Sequence, residues 1–302
     1  MNDSLAEKER IAISHLKAFE PKDGKGYYLC YSGGKDSDVI RILAELANVK
    51  RDVVHNLTTV DAPETVYYVR SVPEVIVERP PKSMWRLIAE NTMPPTRIVR
   101  YCCAKLKERG GTGRLKVTGV RKAESSRRAE RSDLVNIIGK PVNTQKFAAE
   151  IGADFRVNRQ NGLVMNDDND EARRLVEHCY RTRKTMINPI VDWSDDDVWE
   201  FLHYYGCKSN PLYQCGFKRI GCIGCPMGGG KHQKQEFEIY PKYRALYVRA
   251  FEKMLDNIHA KKINLRVNWQ SGEDILRWWV GDDPQQISIE DLENLAAEYD
   301  DL

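Results

Sequence analysis

The chain has 302 residues, 41% of them hydrophobic and 30% charged, with a formal net charge of +3. That length can bury one or two cores, and the composition is that of a globular chain rather than a disordered or fibrous one. No apolar run reaches bilayer-spanning length and the first residues lack the apolar stretch of a secretory leader, so a cytoplasmic protein with no membrane partner is expected. In that compartment eight cysteines are expected to be ligands, catalysts or buried thiols rather than disulfides.

In chain order, a first helix is expected with Ser4 and Glu7 at capping-box spacing. Tyr27-Tyr28-Leu29-Cys30-Tyr31 reads as a buried strand, and Val39, Ile40, Leu43, Leu46 and Ala47 form the apolar stripe of a following helix. Between them stands Ser32-Gly33-Gly34-Lys35-Asp36-Ser37. At such a strand-to-helix turn, free backbone N–H groups and the positive end of the helix dipole favour an anion. The glycines let the backbone approach a phosphate, the lysine adds a charge and the serines add hydroxyl donors. The spacing is not that of a Walker loop, which needs four residues between its first glycine and its Gly-Lys pair.

Further strands are expected at Val53 to Thr59, Val75 to Glu78 and Leu115 to Val120, and helices at Pro63 to Arg70 and Ser83 to Asn91. Strands alternating with helices predict an α/β fold, a doubly wound, mainly parallel sheet with helices on both faces. Ligands of such sheets bind beyond the carboxyl ends of strands, where the Ser32–Ser37 turn, Asp61 and Arg121 all fall. We expect residues 1–138 to form this nucleotide-binding domain. Residues 139–187 read as a polar insertion with few strand signals and a helix near 168–181. Residues 188–302 read as a C-terminal helical, cysteine-rich part with helices at 195–205 and about 233–262, its last core closed by Trp278 and Trp279.

Charge is unevenly spread. From Arg97 to Arg131 there are 12 Lys and Arg against 3 Asp and Glu, which suits a polyanionic ligand or a solvated basic face. From Asp282 to Leu302 there are 8 acidic residues and no Lys or Arg, read as a solvated terminal helix around Ile287, Ile289, Leu292 and Leu295.

Cys222-Ile223-Gly224-Cys225 lies in a glycine-rich turn before Pro226, and Cys102-Cys103 is an adjacent pair far upstream. Two such pairs can supply the four thiolates that an iron–sulfur cluster or a structural zinc site requires. Cys215, seven residues before Cys222, is a further candidate ligand, because adjacent cysteines strain simultaneous ligation. Cys30, Cys179 and Cys207 read as small buried hydrophobes.

Ser32-Gly33-Gly34-Lys35-Asp36-Ser37 resembles the PP-loop of the ATP pyrophosphatase superfamily, whose adenine nucleotide alpha hydrolase-like fold cradles the phosphates of ATP or of an adenylyl sulfate. Asn210-Pro211-Leu212-Tyr213, Gly216 to Cys222, Cys225-Pro226, Gly119-Val120-Arg121, Glu124-Ser125 and Asn188-Pro189-Ile190 resemble the phosphoadenosine phosphosulfate (PAPS) reductase family, especially its phage-type and DNA-phosphorothioation branches. The resemblance implies ATP, or PAPS or APS, on Ser32, Gly33, Gly34, Lys35, Asp36, Ser37, Gly119 and Arg121, with Mg²⁺ on Asp36 or Asp61. It implies Lys35, Asp36 and Arg121 as the catalytic groups. It implies a 4Fe–4S cluster on Cys102, Cys103, Cys222 and Cys225, with Cys215 in reserve and Zn²⁺ as the alternative.

Sulfonucleotide reductases of this kind carry a catalytic cysteine near the C-terminus, and none follows Cys225 here. The expectation is therefore an ATP pyrophosphatase-type sulfurtransferase that adenylates an acceptor and then delivers sulfur. The alternatives are a PAPS or APS reductase, or a non-catalytic nucleotide- or nucleic-acid-binding subunit of a DNA-modification or defence system. Expected partners are an adenine nucleotide, a possible nucleic-acid acceptor and a sulfur donor such as a cysteine desulfurase.

Overall fold

The computed structural model describes residues 1–138, 142–158, 161–180, 184–263 and 269–282. Its strands are β1 (Tyr27–Cys30), β2 (Arg51–Asn56), β3 (Val75–Glu78), β4 (Lys116–Val117), β5 (Val135–Ile138), β6 (Arg156–Val157), β7 (Leu163–Met165) and β8 (Lys184–Ile187). Its helices are α1 (Asp3–Ala18), α2 (Lys35–Leu46), α3 (Pro63–Ser71), α4 (Met84–Glu90), α5 (Ser126–Arg131), α6 (Val142–Glu150), α7 (Asp170–Cys179), α8 (Asp195–Tyr204), α9 (Gly230–Ile239), α10 (Pro241–Ala260) and α11 (Gly272–Trp279). Contacts sort these into two compact units, each discontinuous in sequence. The first comprises Met1–His55, Glu64–Glu78 and Gly110–Ile220; the second comprises Asn56–Pro63, Arg79–Arg109 and the described part of Gly221–Leu302.

The first unit is built on one eight-stranded sheet of order β3-β2-β1-β4-β8-β5-β7-β6. Strands β2, β1, β4 and β8 run parallel, while β5, β7 and β6 join as antiparallel neighbours. One row of side chains crosses six strands in register: Val53, Leu29, Val117, Ile187, Val135 and Met165. All six are buried, so this row is the spine of the core. Tyr27, Tyr28 and Leu29 are buried in succession, as are Leu163, Val164 and Met165. Successive strand residues face opposite sides, so both faces of the sheet are covered, and the expected doubly wound, mainly parallel α/β sheet is what forms. Because β1, β4 and β8 are parallel neighbours, their carboxyl ends share an edge. The turns after them, which begin at Tyr31, Thr118 and Asn188, therefore converge.

Several details differ from the sequence reading. Residues 139–187 carry β6, β7 and β8 of this sheet; strands of two to four residues are too short to show a period. The first helix is capped by Asn2, whose side chain accepts the Leu5 N–H, rather than through Ser4. Strand β2 ends at Asn56, and Thr59 has a positive φ of 67° that a strand does not allow. The acidic stretch beyond Asp282 lies outside the described residues.

In the second unit the helix expected over 233–262 is two helices. Proline lacks an N–H and takes a first-turn position readily, so Pro241 opens α10 just after α9 stops. Helix α10 packs against α4 and α11. Tyr247 is fully buried at the centre, with Trp85 at 5.0 Å, Trp279 at 4.8 Å and Phe237 at 5.6 Å between ring centroids.

Asn188 ties the antiparallel half of the sheet to the parallel half. Its amide donates to the Asp133 carbonyl at 2.6 Å and to Asn136 Oδ1 at 2.7 Å, in a buried setting. Replacing Asn188 with Ala leaves both acceptors without that donor, and a loss of roughly 1–3 kcal/mol in urea-unfolding free energy is expected.

Candidate active site

The turn from β1 into α2 is held from outside itself. Gly33 has φ +76° and a Cβ there would meet Val69 at 2.8 Å, so glycine is required. Asn210, fully buried, donates to the Gly33 carbonyl and to Thr65 Oγ1, both at 3.1 Å. Ser37 donates to the Gly34 carbonyl at 2.6 Å, and Ser32 Oγ accepts from the Gly34 N–H at 3.4 Å. The Lys35 backbone N–H, an orphan donor of the helix start, donates to the Tyr213 hydroxyl at 2.8 Å. Trp199 of α8 stands edge-on to the Tyr213 ring at 5.0 Å.

Two cations and two carboxylates meet at this turn. Lys35 Nζ lies 2.7 Å from Asp195 Oδ1 and 3.5 Å from Asp36 Oδ1. Arg121 reaches Asp36 Oδ1 through Nε at 2.6 Å, Asp195 Oδ1 through Nη2 at 2.5 Å and the Trp193 carbonyl through Nη1 at 3.2 Å. The cationic side chains are 8% and 2% exposed, whereas that of Asp195 is 69% exposed. Lys35, then Arg121, hold the Asp195 carboxyl below its usual range. Gly119 lies against Asp36, and a Cβ there would come within 2.9 Å of the Asp36 carbonyl oxygen.

Behind the turn, Asp38 is fully buried and accepts from Tyr31 at 2.5 Å and Tyr68 at 2.9 Å. Burial raises its carboxyl to about 6, against the pull of both hydroxyls.

The second unit holds Asp61 and four of the candidate thiols. The Asp61 carboxylate accepts the Thr58 N–H at 2.7 Å, and its backbone forms a bridge with Cys222, whose thiol donates to Thr58 at 3.5 Å. The Cys222-to-Cys225 turn is clamped by buried groups. Gly224 donates its N–H to Glu236 at 2.7 Å, Gln233 donates to the Gly224 carbonyl at 2.9 Å, and Tyr247 donates to the Ile223 carbonyl at 2.8 Å. Cys102 and Cys103 stand at the start of a π-helical turn, Cys103–Lys107, an irregularity that recurs at functional sites. The hydrogen bond from Cys102, helped by Arg100, lowers the Cys103 thiol, and the same bond raises Cys102. Burial pushes the Cys222 thiol up to about 12.

The profile of the phosphoadenosine phosphosulfate reductase domain matches residues 26–227. The chain belongs to that family. An uncharacterized protein of Methanocaldococcus jannaschii is 25% identical over 248 residues, covering 80% of this chain and 52% of that protein. A second protein of that organism is covered for 48% of its length, so the chain spans about half the length of these curated relatives. An adenosine 5'-phosphosulfate reductase of Burkholderia cepacia is 34% identical over 90 residues, 28% of this chain and 32% of the enzyme. The crystal structure of PAPS reductase from Candida auris aligns with a TM-score of 0.41 at 13% identity, over 74% of this chain and 96% of that one.

Within this PAPS reductase-family chain the first unit brings together Ser32, Gly33, Gly34, Lys35, Asp36, Ser37, Gly119 and Arg121. The second unit carries Asp61, Cys102, Cys103, Cys222 and Cys225, while Cys215 is an exposed residue of the first. The hydrogen bond with Cys103, then burial, then Cys222 and Cys225 raise the Cys102 thiol, and as soft donors the four thiols suit iron or zinc. Among the described residues, however, no group of three or more His, Cys, Asp or Glu side chains is gathered at metal-binding geometry. The Arg97–Arg131 segment divides between the units; in the first, Lys116 and Arg121 are buried and Arg114 pairs with Asp52. No described helix is long and apolar enough to cross a membrane.

Sequence reasoning assigned no role to Asp195, Tyr213 or Asn210, although Asn210 and Tyr213 fall in a segment that carries the family resemblance. Their signal was position: all three follow β8, whose neighbour in the sheet is β4.

Asp38 favours the fold below its ordinary value of 3.8, and that contribution is lost as pH rises through about 6, because the folded state holds the proton more tightly. Measured as wild type minus Asp38→Asn, unfolding free energy should therefore fall by on the order of 2–3 kcal/mol between about pH 4 and pH 7. In the second unit, Glu236→Ala removes the acceptor of the Gly224 N–H. It should speed iodoacetamide labelling of Cys222 and Cys225, read by mass spectrometry, while Glu236→Gln stays near wild type.

Proposed function

We propose that the chain binds ATP at the Ser32–Ser37 turn and couples adenylation of an acceptor to sulfur transfer. The observation that carries this reading is the pair of buried cations, Lys35 and Arg121, at the amino end of α2. Backbone N–H groups and the hydroxyls of Ser32 and Ser37 would take phosphate oxygens. Lys35 and Arg121 would offset the charge that grows on departing pyrophosphate. The carboxylates of Asp36 and Asp195 beside those cations suit a polyphosphate that brings its own Mg²⁺, held by Asp36 or Asp61. An acceptor oxygen bonds to the α-phosphorus as the bond to pyrophosphate breaks; hydrosulfide, released from a donor such as a cysteine desulfurase by a thiol reductant, then bonds to the acceptor atom as that atom's bond to the AMP oxygen breaks. Positioning and charge supply the catalysis.

Cys102, Cys103, Cys222 and Cys225, with Cys215 in reserve, would hold a 4Fe–4S cluster or Zn²⁺. Their thiol chemistry supports this; their spacing in the described structure does not yet form a ligand set. Such a centre would supply Lewis acidity. The acceptor could be a nucleic acid, and the phage-type or DNA-phosphorothioation branch is the one this reading favours. A PAPS or APS reductase is the second reading, favoured by the similarity to adenosine 5'-phosphosulfate reductases.

Anaerobically purified protein with ATP, Mg²⁺ and candidate acceptors should release pyrophosphate. Lys35→Ala and Arg121→Ala should each lower that rate by roughly a hundredfold or more. Sulfite from PAPS, with no pyrophosphate from any acceptor, would establish the reductase reading instead. Iron, sulfide and zinc analysis of wild type and Cys222→Ser decides the metal: both iron and zinc absent from wild type would remove it.

A further inference from the structure

We infer that Asp195 and Tyr213 are built-in competitors of the nucleotide, occupying the two points of the cradle that phosphate oxygens would take. The inference rests on the nucleotide reading above and deepens it. The first point is the Lys35 backbone N–H, which the Tyr213 hydroxyl takes at 2.8 Å. The second is the cation pair, where one carboxylate oxygen, Asp195 Oδ1, lies 2.7 Å from Lys35 Nζ and 2.5 Å from Arg121 Nη2.

The asymmetry of exposure gives the contact its character. Lys35 and Arg121 are fixed and almost wholly buried, so they need a counter-charge close by. Asp195 is mostly exposed and can leave for water at little cost. Its departure leaves α8 capped, because the capping box at that helix start is made by Ser194 and Asp197. The anion is therefore the movable partner and the cations are the stationary ones. Asp36, the other carboxylate, remains on Arg121 through Nε.

Displacing both occupants calls for linked anionic groups: one for the backbone N–H and one for the Lys35–Arg121 pair. A pyrophosphate-bearing ligand meets that condition, whereas a lone monophosphate exchanges with one occupant and leaves the other. Asp195 thus sets a threshold that favours a polyphosphate, and it keeps the two cations neutralised between ligands.

Calorimetric titration with inorganic pyrophosphate tests this on wild type, Asp195→Asn, Tyr213→Phe and Lys35→Ala. Asp195→Asn should bind more tightly, by on the order of tenfold, the equivalent of about 1.4 kcal/mol. Its melting temperature should fall without pyrophosphate and rise further than wild type's when pyrophosphate is added, a gain that a merely structural role would not give. Tyr213→Phe keeps every ion pair and should also bind more tightly; should Asp195→Asn not fold, it decides alone. Wild-type binding that these variants leave unchanged or weaken overturns the competition. Failure of wild type, Asp195→Asn and Tyr213→Phe alike to bind, or binding that Lys35→Ala leaves intact, overturns the nucleotide reading itself.

Discussion

Two positive charges buried side by side are the constraint around which the first unit is arranged. Lys35 and Arg121 lie at the amino end of α2, where the helix already presents positive potential. Left without partners they would be prohibitive, because a buried charge is tolerated only when paired and hydrogen-bonded. Asp36, Asp195 and the Trp193 carbonyl supply that pairing. Such compensation from the protein's own oxygens is of the kind an anionic ligand offers, and the proposed nucleotide reading rests on that likeness.

The sheet explains why these groups meet although they are far apart in sequence. Lys35 follows β1, Arg121 follows β4, and Asp195 and Tyr213 follow β8. These three strands are parallel neighbours, so one edge collects everything that leaves their carboxyl ends. The buried row from Val53 to Met165 fixes their register, since a slip of one residue would turn that row out of the core. Position at the cradle is thus an outcome of apolar packing in the sheet below it.

Much of this was legible in the sequence. The Ser32–Ser37 turn could be read because its chemistry is local: six consecutive residues between a strand pattern and a helix pattern. Arg121 could be placed because it follows a recognisable strand. Asp195 could not, since an aspartate at a helix start is ordinarily read as a favourable end charge, and its partners lie 160 and 74 residues away. The strands within 139–187 escaped because two to four residues carry no measurable alternation. Pro241, by contrast, was a visible signal for a break, since proline takes the first turn of a helix far more readily than its interior.

The two units meet one electrostatic problem with opposite signs. In the first, buried cations are neutralised by carboxylates, one of them mostly exposed. In the second, Cys102 and Cys222 are held towards the neutral thiol while Cys103 is made more acidic. The acidity of Cys103 comes with suppression of Cys102, as expected when neighbouring sites share one charge. Lys107, whose charge is favoured first by Cys222, and Arg100 beside Cys103 are the cations that oppose this build-up. More than one or two thiolates at once would need a further cation, and metal binding to thiols proceeds by releasing their protons. The first unit thus neutralises buried cations with carboxylates, while the second sets Lys107 and Arg100 against thiols whose ionisation is coupled.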